Sequence, residues 1–170
     1  MDFNSINEIK KENFIGFKKI CELFDNACDI SCERGVYLVL YLNKDKPVFV
    51  EKGVGGYFRG NPNVSIECLN SRWIYKTITI YIGQAGGIRN GKWSNNTLCR
   101  RISDYLRFGK GESVGHKGGR LIWQIKDYQD LVFCWQPLPN KIVDPKKYEN
   151  ELKQKFKSYY NGSLPFANLV

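Results

Sequence analysis

Two segments indicate the fold of this chain: TITIYIGQAGG at residues 77–87 and GVYLVLYL at residues 35–42. Both are short runs rich in β-branched and aromatic residues and bounded by glycine or polar residues, which is typical of half-buried strands. Tyr37 stands in the earlier run and Tyr81 in the later one. We therefore expect two strands of one small sheet, each carrying a phenol.

Length and composition indicate one ordered domain. The chain has 170 residues, of which 42% are hydrophobic and 14% aromatic, enough to bury most of its apolar surface. No apolar run approaches the length of a membrane span. The N-terminal sequence has no basic segment followed by an apolar stretch, so we expect no secretory signal and a cytoplasmic location. We take residues 1–170 as one domain with a helical extension at 1–34 and a core at 35–168 that contains an insertion at 43–73.

The cysteines are expected to stay reduced and to be small buried hydrophobic residues, since disulfides are rare without secretion. Cys28 and Cys32 lie close together, but no histidine or second close cysteine pair completes four zinc ligands. We therefore expect no zinc site. The six are Cys21, Cys28, Cys32, Cys68, Cys99 and Cys134.

The positive charge is concentrated in one segment. The formal net charge is +9, and residues 71–126 alone hold 11 Lys and Arg against two acids, Asp104 and Glu112. The remainder holds 15 basic and 15 acidic side chains. Such concentration is the electrostatic footprint of a protein that binds a phosphate backbone. A solvated basic face without a ligand is the alternative.

Apolar periodicity predicts three main helices. One lies within residues 5–27, where Phe17, Ile20, Cys21 and Phe24 share a face. The second, TLCRRISDYLRFG, has Asn96 or Thr97 as its cap and Gly109 at its end. On it, Arg101 lies at the edge of the buried face beside Tyr105, whereas Arg100 points away.

The third helix follows a capping aspartate, Asp144, and a proline at its first position. Glu149 lies near its apolar stripe and is expected to face inward, while Glu151 lies farther round. An ordinary surface glutamate near a helix N-terminus is the alternative for Glu149. The stripe consists of Tyr148, Leu152, Phe156 and Tyr159.

The remaining segments predict strands and loops. Residues 43–73 are interpreted as an inserted hairpin and loop, whose glycines do not match a phosphate-cradling loop. RLIWQIK, residues 120–126, and LVFCWQP, residues 131–137, are predicted as paired or adjacent strands. Together these elements predict an α+β fold with a small antiparallel sheet flanked by helices.

Five residues have the chemistry needed to cut a phosphodiester. A carboxylate can hold a divalent cation, an arginine can neutralise the phosphate, and a phenol can take a proton from water. Taken singly, buried tyrosines are more often structural. The five are Tyr37, Tyr81, Arg101, Tyr105 and Glu149.

These residues stand in an order that resembles the GIY-YIG nuclease family. GVY at 35–37 resembles the first signature and YIG at 81–83 matches the second, and an arginine helix follows. YENELKQKF resembles the glutamate helix, and LPFAN the closing segment with Asn168. The resemblance covers residues 35–168 and implies a central sheet of about three antiparallel strands flanked by helices.

The resemblance also implies roles. Glu149 would bind one Mg²⁺ or Mn²⁺, and Arg101 would contact the scissile phosphate. Tyr37 would be the general base or position the water, with Tyr81 nearby, and Asn168 would help to close the site. Many members carry histidine four residues after the arginine, where this chain has Tyr105.

We therefore expect a metal-dependent DNA endonuclease of restriction, mobile-element or repair type. A nucleic-acid-binding module without catalysis and a protein-interaction domain are the alternatives. Double-stranded DNA is the expected partner, and a homodimer would cut both strands most simply. The loop histidine is expected to be solvated or to contact phosphate rather than to bind a metal, because no second histidine or carboxylate accompanies it. Candidate nucleic-acid contacts are Arg89, Lys92, Arg100, Arg107, Lys110, His116, Lys117 and Arg120.

Overall fold

A computed structural model describes residues 1–27 and 29–169, without the side chain of Lys117. The strands are β1 (Ile15–Lys19), β2 (Gly35–Leu40), β3 (Thr79–Ala85), β4 (Ile88–Arg89), β5 (Lys92–Trp93) and β6 (Val132–Pro137). Four of them form an antiparallel sheet in the order β1-β6-β2-β3, and β4 and β5 form a separate two-stranded hairpin. The predicted α+β class is confirmed, with four strands where about three were expected.

The helices are α1 (Ile6–Lys11), α2 (Ile20–Asp25), α3 (Ile66–Arg72), α4 (Leu98–Gly109) and α5 (Pro145–Tyr159), with 3₁₀ helices at Lys117–Gln124 and Tyr128–Asp130. The predicted arginine helix is α4, and the predicted glutamate helix is α5. The Thr97 hydroxyl accepts a hydrogen bond from the Arg100 backbone at the start of α4, and the Asp144 carboxylate accepts one from the Lys146 backbone at the start of α5. Both caps were predicted.

Strand β2 lies inside the sheet, and all six of its residues are buried. Leu38 belongs to an apolar cluster with Leu152 and Phe156 of α5. Tyr37 belongs to a second cluster, with Ile102 of α4. Helices therefore cover both faces of the strand, as its continuous apolar sequence predicted.

The N-terminal helix predicted within residues 5–27 is confirmed only in part, because Ile20–Asp25 forms α2 whereas Phe17 lies in β1. Strand β1 pairs with β6 as an edge of the main sheet. Gly16 has φ +94°, and a Cβ atom there would lie 2.5 Å from the Trp135 ring. The backbone therefore leaves the helical region where the indole packs against it. The strand was missed because Phe17 has the spacing of the apolar residues that follow it in the helix.

The strand predicted at residues 120–126 is also wrong, because that segment forms most of the first 3₁₀ helix. Strand β6 pairs with β1 and β2 instead. The insertion at 43–73 has one bridge, Phe49 to Ile125, and helix α3 in the part of the chain described, in place of the predicted hairpin. Short apolar runs suit a strand and a buried helical segment equally well, and tertiary packing decided both cases.

Two smaller expectations fail. Tyr159 is 54% exposed and does not join the buried stripe of α5. Cys32 and Cys68 are exposed, whereas Cys134 is buried as expected; Cys28 lies outside the described residues. Of the helices described, none is both long enough and apolar enough to cross a bilayer.

Candidate active site

One cavity of about 270 Å³ collects side chains from distant parts of the chain. It contains five of the six predicted catalytic residues, all except Tyr105. Its lining residues are Tyr37, Tyr81, Gln84, Arg101, Gly118, Glu149, Lys153, Asn168 and Leu169.

Pairing of β2 with β3 brings the two phenols together. Tyr37 lies opposite Gly83, Tyr81 lies opposite Val39, and the tyrosine ring centroids are 5.9 Å apart. A Cβ atom on Gly83 would lie 2.5 Å from Cζ of Tyr37. The glycine of the YIG segment therefore leaves the space that the Tyr37 ring fills.

Helix α4 directs Arg101 into the cavity. Its Nη1 atom donates a hydrogen bond to the carbonyl of Gly115 at 3.2 Å, which fixes the guanidinium beside the phenols. Arg100 is exposed and lines neither this cavity nor a second cavity that adjoins it. The predicted difference in orientation between the two arginines is confirmed.

Helix α5 contributes a carboxylate and an ammonium group. Oε1 of Glu149 lies 3.0 Å from Nζ of Lys153, and each side chain is 14% exposed. Glu151 is exposed, so the predicted inward orientation of Glu149 is confirmed. Lys153 was not among the predicted site residues, although its position four residues after Glu149 places both on one helix face.

The C-terminal segment closes one side of the cavity. Oδ1 of Asn168 accepts a hydrogen bond from the Ile82 nitrogen at 2.9 Å, and Nδ2 donates to the Ile82 carbonyl at 2.8 Å. Both polar atoms of the Asn168 amide thus pair with the backbone of β3. Its geometric contribution is to hold this segment against the strand.

Tyr105 and His116 lie behind the cavity wall. The Tyr105 hydroxyl donates to the carbonyl of Gly119, and its ring stacks on the His116 imidazole with centroids 3.7 Å apart. Both side chains are fully buried. The expectation of a solvated or phosphate-contacting His116 is therefore wrong, because the 3₁₀ segment folds back onto α4.

The candidate nucleic-acid contacts divide into two groups. Arg107 is exposed but forms a salt bridge with Glu112 at 2.6 Å, and the partly buried Arg120 donates to the Pro62 carbonyl at 3.0 Å. The ammonium of Lys110 lies 4.7 Å from the Phe24 ring centroid. The side chain of Lys117 lies outside the described part. In the described part of the chain, three contacts are exposed and have neither an ion pair nor a cation–π contact: Arg89, Lys92 and Arg100.

A second cavity of about 330 Å³ adjoins the first and shares Gln84 and Arg101 with it. Arg89 and Lys146 add positive charge to its lining. Oδ1 of Asp144 accepts hydrogen bonds from the nitrogens of Ile88 and Lys146, both at 3.0 Å. This carboxylate ties the β4–β5 hairpin to the start of α5.

Burial and charge set the proton affinity of the buried side chains. Burial raises the pKa of Tyr37 to about 12, and the Arg101 charge opposes the rise. Burial raises the pKa values of Tyr81 and Tyr105 well above the usual range. Burial, then the charge of Arg101, holds the pKa of His116 well below its usual range.

The cavity offers one carboxylate as a ligand for a cation. Glu149 is the carboxylate that lines the cavity, and no cluster of three or more His, Cys, Asp or Glu in the described ranges could hold a metal. Mg²⁺ and Mn²⁺ accept one or two carboxylates and take other ligands from water and phosphate. Zinc, which prefers several nitrogen or sulfur ligands, does not fit.

No protein-family profile matches this chain, and neither a curated protein nor a solved structure matches it.

Proposed function

We propose that this protein is a divalent-metal-dependent endonuclease that hydrolyses phosphodiester bonds in double-stranded DNA, as members of the GIY-YIG family do. The observation that carries the proposal is the convergence of Tyr37, Arg101 and Glu149 on one cavity. These side chains come from β2, α4 and α5. Their grouping was predicted from their chemistry and from the order of the motifs along the chain, because no local pattern links them.

Each residue has a role that its chemistry allows. Glu149 would hold Mg²⁺ or Mn²⁺, which when bound supplies positive charge to the phosphate and lowers the pKa of water. Arg101 would bind the non-bridging oxygens of the scissile phosphate. Tyr37 would orient the attacking water and accept its proton, with Tyr81 beside it.

The proton affinity of Tyr37 limits this role. A phenol with a pKa of about 12 is almost wholly protonated at neutral pH. Positive charge in the cavity favours the phenolate, and Arg101 already acts in that direction. The cation held by Glu149 would act in the same sense.

The adjoining cavity offers a path for the DNA backbone. Arg89 and Lys146 line it, and Arg101 lines both cavities. A strand whose scissile phosphate lies at Arg101 would therefore place a neighbouring phosphate near these two cations. The homodimer and the cytoplasmic location stay predictions.

A nucleic-acid-binding module without catalysis is the second candidate. The observation that favours it is the ion pair between Glu149 and Lys153, which engages the carboxylate that a metal would need. Such a module would bind DNA with strong salt dependence and leave it intact.

Cleavage of supercoiled plasmid separates the two candidates. We expect the wild-type chain to nick plasmid with Mg²⁺ or Mn²⁺ and to stop when EDTA is added. Glu149→Gln should slow cleavage at least about a hundredfold, whereas Glu151→Gln, on the same helix but exposed, should not. Salt-sensitive binding without cleavage would support the binding module, and absence of both would contradict each candidate.

A further inference from the structure

His116 is the only histidine in the chain, and it lies in contact with the phenol proposed as the base. Nε2 of His116 is 3.5 Å from the hydroxyl oxygen of Tyr37. The imidazole is fully buried and stacks on Tyr105 with the ring planes 14° apart. Packing therefore fixes both the position and the plane of the imidazole.

The surroundings of the ring select one tautomer. Nδ1 is buried and has no hydrogen-bond partner among the described residues. A buried N–H without a partner is rarer in proteins than an acceptor that lacks one. We therefore assign the proton of the neutral ring to Nε2, where it faces the Tyr37 oxygen.

The groups around the imidazole come from three elements. Tyr37 of β2 and Tyr81 of β3 lie on one side, and Tyr105 and Arg101 come from α4. Of these, Arg101 is the charged group, and its charge disfavours a second proton on the ring. The imidazole therefore remains a neutral donor.

We propose that His116 is a positioning residue for Tyr37: its Nε2–H donates to the phenol oxygen and leaves the phenol's own hydrogen free to point into the cavity. A donor at this oxygen stabilises negative charge that develops on it. The catalytic consequence rests on the proposed function, but the hydrogen bond itself does not.

Nitrogen-15 NMR of histidine-labelled protein tests the hydrogen bond without any cleavage. Because the chain has one histidine, the spectrum contains one imidazole. We expect the neutral Nε2–H tautomer from about pH 5 to 8. Tyr37→Phe should shift the Nε2 signal, whereas Tyr81→Phe, which removes a neighbouring hydroxyl, should shift it much less. An Nδ1–H tautomer, protonation near the usual pKa, or an Nε2 signal indifferent to Tyr37→Phe would overturn the proposal.

Cleavage kinetics test the consequence. His116→Phe keeps a ring that can stack on Tyr105 and removes the donor, so kcat should fall about tenfold with KM unchanged. His116→Gln carries a donor near the place of Nε2 and should recover part of the loss. Equal rates for His116→Phe and wild type, or no recovery with glutamine, would contradict the proposal.

The two experiments separate this inference from the proposed function. A wild-type chain that never cleaves DNA but shows the Nε2–H tautomer and the Tyr37→Phe shift refutes the nuclease and supports the hydrogen bond. A chain that cleaves DNA but shows the Nδ1–H tautomer refutes the inference alone.

Discussion

His116 illustrates how a loop residue can become a core residue. Its neighbours in sequence are glycines and lysines, which predict exposure, yet the side chain is 0% exposed. The segment folds back because a glycine at 119 accommodates the Tyr105 hydroxyl, where a Cβ atom would clash with it. Nothing in the local composition of this loop carries that information.

The buried imidazole predicts a loss of stability in acid. The pKa of His116 is held below its usual value, chiefly by burial, so below about pH 6.5 the unfolded chain binds a proton that the folded chain does not. The contribution is complete above that pH and is lost as pH falls, at about 1.4 kcal/mol per pH unit. Urea unfolding from about pH 7 to 5 measures it.

The control for this prediction is His116→Phe. Its absolute stability can differ through packing, but its free energy of unfolding should fall less with pH than that of wild type. Parallel pH dependence in the two proteins would show that the imidazole titrates normally in the folded state.

We predict that removing the charge of Lys153 raises the affinity of Glu149 for a metal ion. Its ammonium lies 3.0 Å from the Glu149 carboxylate and competes with a cation for it. Lys153→Met should therefore tighten Mn²⁺ binding about fivefold, the factor that 1 kcal/mol represents. Electron paramagnetic resonance of free Mn²⁺ measures the affinity. Lys147→Met removes an exposed lysine from the same helix, and an equal gain in that variant would exclude direct competition.

At the scale of elements, Gly83 of β3 allows the Tyr37 ring of β2 to pack against the strand. An alanine there would place Cβ 2.5 Å from the Tyr37 ring, and that ring cannot retreat because it is fully buried and stacks on Phe133. Gly83→Ala should cost about 1–3 kcal/mol of unfolding free energy. Chemical denaturation measures the loss.

Gly115→Ala is the matched control, since a Cβ atom there would lie 3.5 Å from the Phe58 ring, an ordinary contact. The control should stay within about 1 kcal/mol of wild type. Equal losses in both variants would mean that the Tyr37 ring moves aside freely.

The sequence predicted the elements that have strong local signals. Strand β2 is apolar on both faces, and α4 and α5 have side-chain caps, so their type and position followed from pattern. Strand β1 was missed because Phe17 has the helical spacing of the residues after it, although it lies in the strand. The 3₁₀ segment was missed because its short apolar run suits a strand and a buried helical segment equally well.

The site was more predictable than the fold around it. The order of signature residues led to Tyr37, Arg101 and Glu149, which the structure brings together. Two other residues of the cavity lining, Lys153 and Gln84, were not predicted, because they belong to none of the recognised motifs. Tyr105 was placed among the catalytic residues, but it lies behind the cavity wall.

At the scale of the whole molecule, the excess charge is only partly available to a polyanion. Of the seven predicted contacts whose side chains are described, five are exposed, and one of those, Arg107, is already paired with Glu112. In the β4–β5 hairpin, Arg89 lines the second cavity, and the exposed Lys92 is its partner on the facing strand. We expect this hairpin to contribute more to DNA binding than other exposed basic residues.

Replacing Arg89 and Lys92 with alanine should weaken DNA binding and reduce the salt slope by about 2, since each phosphate contact contributes about 0.9. Fluorescence anisotropy at several salt concentrations measures both. Lys44→Ala with Lys46→Ala removes the same charge from exposed positions that line neither cavity. Equal loss in the two double variants would assign the binding to net charge alone.

The proposed nuclease requires that Tyr37 and Glu149 act on one phosphate in one cavity. Single-turnover cleavage of a labelled duplex by Tyr37→Phe, Glu149→Gln and the double variant tests this requirement. Residues that act as a unit give non-additive losses, so we predict that the double variant cleaves about as slowly as the slower single variant. Losses that multiply, or a wild-type chain that leaves the duplex intact with Mg²⁺ and Mn²⁺, would exclude such a shared site.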